Sequence, residues 1–167
     1  VANSNKCGTQ KNSDKQENID KLLSELQQTW YRTIPVSGFM KIMPVAYSDK
    51  EFRVTAPLEP NINLHQTMFA GSIYTLMTLT GWGMVWLQQS LADLQGDIVL
   101  VDAKVRYLAP IETAPVAKVS WPDTDMSVLS KGRRLKVKLE VKLYCGDSCC
   151  ATFEGLYISK PKVSTPG

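Results

Sequence analysis

From Gln66 to Ala92 the chain carries no charged residue, and no other segment constrains the fold as much. About 20 apolar residues suffice to cross a bilayer as a helix, so length alone admits a membrane span. The composition argues against one. Ser72, Thr75, Thr78 and Thr80 interrupt the segment, as do Gly71, Gly81 and Gly83, and no basic cluster flanks either end. A helix apolar on nearly every side without being a membrane anchor has to be buried in a protein core. Glycine inside a helix costs about 1 kcal/mol relative to alanine, so Gly81 and Gly83 imply close packing. A symmetric dimer would supply such a contact.

The rest of the chain has to cover that helix. Ile19, Leu22, Leu23, Leu26 and Trp30 recur at helical spacing and predict an amphipathic helix. Ser13 with Gln16, or Asn18, is its expected cap, and Pro35 and Gly38 mark its end. Residues 1–17 are polar and are expected to be a disordered tail, with one domain over 18–167. The same N-terminal stretch lacks the apolar core of a signal peptide.

Strands are predicted from Phe39 to Tyr47 and from Phe52 to Leu58, joined as a hairpin by Ser48–Glu51. Beyond the uncharged helix, which Gly96 should stop, the hydrophobic period changes to two. Ile98–Leu108, Val116–Trp121, Leu135–Tyr144 and Ala151–Ser159 all read as strands. In the third, Leu135, Val137, Leu139, Val141 and Leu143 alternate with Lys136, Lys138, Glu140 and Lys142. Alternation this clean predicts an antiparallel sheet with one face in water. Gly146-Asp147-Ser148 should turn the last two strands into a hairpin.

Net charge is +3, too weak a bias to argue for nucleic acid. Of the four cysteines, Cys145, Cys149 and Cys150 cluster near the C-terminus, and the chain has one histidine, His65. No zinc-ligand spacing results, so reduced thiols in a cytoplasmic protein without a metal are expected.

The order helix, two strands, long buried helix, four strands, with the loop N-I-N-L-H-Q-T-M-F-A-G-S-I-Y-T-L-M-T-L-T-G-W-G, resembles the hot-dog superfamily of acyl-CoA and acyl-ACP enzymes. The resemblance implies an α+β fold in which about six antiparallel strands wrap a central helix, and a dimer. In hot-dog thioesterases an Asn or Gln precedes His-Gly-Gly by about six residues. Asn63 and Phe69-Ala70-Gly71 stand at those positions here. More narrowly, T-M-F-A-G-S-I-Y, T-G-W-G-M-V-W-L and F-E-G-L-Y are similar to a stand-alone proteobacterial hot-dog domain, also found fused behind an N-acetyltransferase domain. That subfamily is associated with decarboxylation of malonyl-ACP.

One departure from the thioesterase pattern bears on chemistry. The carboxylate of many hot-dog thioesterases lies fifteen residues after the Asn, and that position here is Thr78. Hydrolysis wants a carboxylate to activate water or to attack the carbonyl. Decarboxylation needs instead a site that stabilises an enolate oxygen, which backbone N–H groups at a helix N-terminus can do. The resemblance therefore implies a malonyl-ACP decarboxylase, with a thioesterase as alternative and a non-catalytic acyl-thioester binding module as a reading from another class. No cofactor is expected beyond the phosphopantetheine thioester that the substrate itself carries.

In this reading Ala70 and Gly71 supply the N–H groups, and Asn63 orients the carbonyl or the malonyl carboxylate. Met68, Phe69 and Tyr74 form an apolar pocket. His65 is a candidate base or a structural loop residue, and Ser72 a substrate contact or a hydrogen-bonder at the helix start. Thr78 faces the substrate or back-bonds to a carbonyl one turn earlier. Asn63 could equally close an Asx turn. Arg133 and Arg134, in the basic run from Lys131 to Lys138, are candidates for binding acyl carrier protein or coenzyme A phosphates, with Arg106 a further one.

Overall fold

The computed structural model describes residues 6–162, with side-chain surroundings from residue 13 onward. Helix α1 spans Lys6–Thr33 and α2 Pro35–Phe39, followed by strands β1 (Met43–Ser48) and β2 (Glu51–Thr55). A 3-10 turn, Glu59–Asn61, leads to α3 (Ala70–Leu91). Then come β3 (Gly96–Tyr107), β4 (Val116–Ser120), the short α4 (Ser127–Ser130), β5 (Leu135–Cys145) and β6 (Ser148–Pro161). The strands form one six-stranded antiparallel sheet in the order β1-β2-β4-β5-β6-β3. This is the α+β hot-dog arrangement expected from the sequence.

Helix α3 lies against one face of the sheet, touching β2 through β6, and α1 closes over it from beyond β1. Ile19, Leu23, Leu26 and Trp30 are the buried stripe of α1. Leu76, Met77, Met84, Val85 and Leu87 of α3 are fully buried in the same core. Among the described residues no helix is long and apolar enough to cross a membrane.

The glycines of α3 have a different reason from the one expected. A Cβ on Gly81 would lie 2.6 Å from Cζ of Tyr157, and one on Gly83 2.7 Å from Cζ2 of Trp30 and 2.9 Å from Cε1 of Phe52. The close approach is to the protein's own sheet and to α1, and no second copy is needed to explain it.

The β1–β2 hairpin turns at Asp49 and Lys50, both at positive φ (49° and 63°). That is the backbone twist that two-residue hairpin turns require. In β5 the alternation holds throughout: Leu135, Val137, Leu139, Val141 and Leu143 are buried, and Lys136, Lys138, Glu140 and Lys142 are exposed.

Several boundaries differ. Helix α3 ends at Leu91, with Asp93 at φ 54° just beyond it, so Gly96 begins β3 and does not stop the helix, and β2 ends at Thr55, short of Leu58. Helix α1 begins at Lys6, so residues 6–17 are helical, while residues 1–5 of the expected tail lie outside the described residues. Once the packed stripe from Ile19 has nucleated the helix, each added polar residue of fair propensity needs only propagation. Asn18 and Ser13 therefore cap nothing, and Gln16 instead donates its amide to Asp20 one turn on (2.8 Å). Phe39 to Ile42 is not strand. Pro35 starts a new helical turn as α2, and Lys41 at φ 55° redirects the chain before β1. Helix α4 was not foreseen; Asp125 holds its start by accepting from the Ser127 N–H (2.8 Å) and hydroxyl (2.7 Å).

Candidate active site

The loop into α3 is built around two asparagines. Asn61, 2% exposed, donates its amide to the carbonyls of Met40 (2.9 Å) and Pro57 (2.8 Å). Its backbone carbonyl accepts from the Phe69 N–H (2.7 Å), the Met68 N–H donates to the Ile111 carbonyl (2.8 Å), and the buried Asn61 Oδ1 has no partner among the described residues. These bonds fix both ends of the loop. Within it, the Asn63 N–H donates to the Thr67 carbonyl (2.8 Å), and the Asn63 side-chain carbonyl accepts from the N–H groups of His65 (2.9 Å) and Thr67 (3.3 Å).

Asn63 thus closes an Asx turn, with consequences for the orientation of its amide. The Thr67 hydroxyl also lies within reach of Oδ1 (3.3 Å), so the same turn holds Nδ2. One of its hydrogens reaches the Thr67 hydroxyl (3.0 Å), and a second hydrogen remains.

Helix α3 starts without a cap. Phe69 holds the N-cap position in extended backbone and has no side-chain acceptor to offer. Among the described residues, nothing accepts from the N–H groups of Ala70, Gly71 and Ser72. They sit at the positive end of the helix, where an anionic oxygen is stabilised. The Phe69 ring folds over Gly71, where a Cβ would meet Phe69 Cε1 and lie 3.0 Å from Cζ, so a side chain there would push this half-exposed ring aside.

Val36, Phe39, Met40, Asn61, Phe69 and Gly71 line a groove of about 400 Å³ beside this first turn, which continues to Ser72 and Thr75. Phe39 is 82% exposed and Phe69 55%, so the groove is apolar at its rim. From the other side the Tyr107 hydroxyl donates to the Ala70 carbonyl (3.2 Å), tying the end of β3 to the start of α3. Tyr74, on the next turn, stands edge-on to Phe153 at 5.7 Å.

Thr78 behaves unlike its neighbours. Thr75 and Thr80 back-bond to Gly71 (2.9 Å) and Leu76 (2.7 Å), whereas the buried Thr78 hydroxyl has no partner among the described residues. The Thr78 carbonyl accepts from the Tyr157 hydroxyl (2.8 Å). Burial pushes the Tyr157 phenol well up, so it stays protonated as a donor. No Asp or Glu occurs anywhere along α3.

The structure brings Phe69, Gly71 and Ser72 together along the groove at the start of α3, with Asn61 also lining it. Ala70 shares that first turn and Tyr74 and Thr78 lie on succeeding turns, whereas Asn63, bonded to His65 and Thr67, does not line the groove. Met68 departs from expectation. It is 3% exposed, belongs to the core and bridges to Ile62, so the wall assigned to it is formed by Phe69 and Phe39. His65 is exposed, and among the described residues its ring makes no hydrogen bond. Asn61 was missed: two asparagines two residues apart look alike in sequence, and only burial tells the scaffold from the loop tip.

The arginines separate. Arg106 precedes Tyr107 at the same end of β3, with its side chain on the opposite, outer face of the sheet. Arg133 and Arg134 precede Leu135, which pairs with Ser159, while Ala151, beside Tyr107, pairs with Leu143. Eight residue steps along β5 (135 to 143) span about 27 Å at 3.4 Å per residue. Arg133 and Arg134 therefore stand at the far end of the sheet, where α3 finishes and Gln89 donates to Ser159 (2.6 Å). Within one protomer they cannot serve the site that they were expected to serve.

A family model, YiiD_C, described as "Putative thioesterase (yiiD_Cterm)", matches residues 23–161. The chain is also similar to a crystal structure from Shewanella oneidensis described as a putative thioesterase. The two are 64% identical over 85% of this chain and 99% of that one, with a TM-score of 0.84. A Chlorobaculum tepidum protein of unknown function is 27% identical over 86% of this chain and 97% of that one, with a TM-score of 0.76. A Haemophilus influenzae thioesterase shares the fold at 15% identity, covering 86% of this chain and 92% of that one with a TM-score of 0.64.

Proposed function

The chain belongs to the YiiD_C family, and from that footing we propose that it acts on acyl thioesters by decarboxylating malonyl-ACP to acetyl-ACP. The observation that carries the reading is the pairing of an uncapped α3 N-terminus with a helix that holds no carboxylate. The thioester oxygen sits on the N–H groups of Ala70 and Gly71. Asn63, whose amide has a second hydrogen beyond the one given to Thr67, holds the thioester carbonyl or the malonyl carboxylate.

When the bond between the α-carbon and the carboxylate breaks, CO2 leaves and the electron pair passes into the enolate. The helix N-terminus stabilises that charge. A proton from water then returns to the α-carbon. An acid in Thr78's place would repel the malonyl carboxylate, and the apolar rim of Phe39 and Phe69 favours release of neutral CO2.

The site is completed, in this reading, by a second copy. Strand β3 is an unpaired sheet edge with Val99 (40%) and Val101 (49%) exposed, a template for antiparallel pairing. Such pairing crosses the ends of the two sheets, so the Arg133–Arg134 end of one copy comes beside the Tyr107 end of the other.

Thioester hydrolysis is the second reading, and the descriptions of the family and of the Shewanella relative favour it. A mass-spectrometric time course with malonyl-ACP and, separately, malonyl-CoA decides. Accumulating acetyl-ACP with release of CO2 is the expected result. Free carrier thiol without acetyl-ACP would establish hydrolysis instead. Binding without turnover of any acyl thioester would leave a binding module.

A further inference from the structure

On the outer face of the sheet, away from α3, the strand register lines up cations. Arg106 of β3 pairs with Thr152 of β6, and Thr152 with Lys142 of β5. Lys142 pairs with Lys118 of β4, and Lys118 with Arg53 of β2. The row crosses five adjacent strands of the order β2-β4-β5-β6-β3, roughly 19 Å at about 4.8 Å per strand. No two of these residues are close in sequence, so the row exists only in the folded sheet.

Carboxylates meet the row only in part. Glu51 holds Arg53 (2.6 Å), and Glu140 approaches Lys142 at 3.8 Å. Glu154, one row along, is taken by Lys138 (2.6 Å). Among the described residues Arg106 and Lys118 have no ion-pair partner, and the Lys118 ammonium stands 4.9 Å over the Tyr144 ring. Like charges directly opposite one another, as Lys118 and Lys142 are, destabilise a sheet. Beyond the Tyr144 ring for Lys118 and the long Glu140 contact for Lys142, both project from the outer face with their charge open to a partner. Arg106, at one end, precedes the Tyr107 that bonds the start of α3, so the row ends on the outer face at the strand end whose inner face meets α3.

Resting on the acyl-thioester reading above, we propose that this row docks an acidic acyl carrier protein, so that the phosphopantetheine arm passes the end of β3 to reach the α3 N-terminus. A row this long matches the side of a helix bearing carboxylates better than a single phosphate, which one or two cations would hold. It also takes the place of Arg133 and Arg134 as the carrier-binding charge within a protomer.

The test is the double reversal Lys118→Glu/Lys142→Glu, with Lys118→Gln/Lys142→Gln as a milder second variant; urea unfolding checks that both fold. Each is assayed with malonyl-ACP, malonyl-CoA and the malonyl thioester of N-acetylcysteamine, and holo-acyl carrier protein binding is titrated by NMR without turnover. Reversal is expected to lower kcat/KM for the carrier-borne substrate at least roughly tenfold at low salt, the scale of electrostatic steering. The small thioester should be unaffected, and wild type should lose the same advantage as salt rises. Equal losses for carrier and coenzyme A thioesters would show a phosphate site and overturn the docking surface, as would unchanged carrier binding in both variants. If no thioester turns over, the functional reading fails by itself, and the carrier titration still decides the docking.

Discussion

Replacing Gly81 by alanine sets two known effects against each other, and the structure says which wins. Alanine should stabilise a helix by about 1 kcal/mol relative to glycine. Here its methyl group would meet the Tyr157 hydroxyl and lie 2.6 Å from Cζ and 2.7 Å from Cε2 of the same ring. Tyr157 is fully buried and cannot swing into solvent. Overpacking of this kind costs about 1–3 kcal/mol, and a buried hydroxyl pulled from the Thr78 carbonyl costs about another 1–3. The net is a loss of about 1–5 kcal/mol. Urea unfolding followed by circular dichroism measures it, at one fixed protein concentration because association would couple to stability. With m of about 2 kcal/mol/M, a 2 kcal/mol loss moves the midpoint down by about 1 M. Tyr157→Phe in the same background removes the oxygen that the methyl group meets, so the double variant should lose less than the two single losses added. A Gly81→Ala midpoint at or above wild type, or strict additivity in that cycle, would refute the packing account of this glycine.

Asn63→Asp keeps the acceptor that closes the Asx turn and removes the amide donor, including the bond to the Thr67 hydroxyl. Thermal stability should hold near wild type while turnover of malonyl-ACP falls at least a hundredfold; retained turnover would confine Asn63 to structure. Val101→Lys puts a charge at the β3 bulge on the free edge, and sedimentation should show monomers with little activity. Lys138 holds the Glu154 carboxyl below the usual carboxylate range, by its hydrogen bond first and its charge second. Since the folded-state value is the depressed one, the stabilisation is present at neutral pH and is lost as pH falls through that value. An NMR titration of the Glu154 carboxyl carbon should show the midpoint rise in Lys138→Gln and also, because the pair is exposed, in high salt.

Much of the fold is written at the level of period and composition. The uncharged run from Gln66 to Ala92 requires cover on nearly every side, and the alternation in Leu135–Leu143 requires a sheet with one wet face. Boundaries were less legible because they depend on neighbours. Nothing local distinguishes the N-terminal turns of α1 from a polar coil until the stripe from Ile19 to Trp30 is packed. Phe39 has the composition of a strand residue but follows a proline that starts a helical turn. The reason for Gly81 and Gly83 was legible as close approach and not as to what: Tyr157 is 76 positions from Gly81, and Trp30 is 53 from Gly83.

The site divides along the same line. What is absent can be read from sequence, since no packing can place a carboxylate on a helix that has none. What is present depends on direction. Asn61 and Asn63 differ only in that one points into the core and the other closes a turn at the rim. Thr75, Thr78 and Thr80 differ only in which hydroxyl finds a carbonyl one turn back. Charge follows the same rule on a larger scale. Arg133 and Arg134 are conspicuous because they are adjacent, yet they stand at the opposite end of β5 from the level of Tyr107, about 27 Å along the strand. Arg53, Arg106, Lys118 and Lys142 are scattered over β2, β3, β4 and β5, and register alone brings them into one row. In an antiparallel sheet, sequence clustering measures proximity along one strand, whereas a partner protein meets the face across strands. The register is therefore the physical link between these residues and the docking function proposed for them.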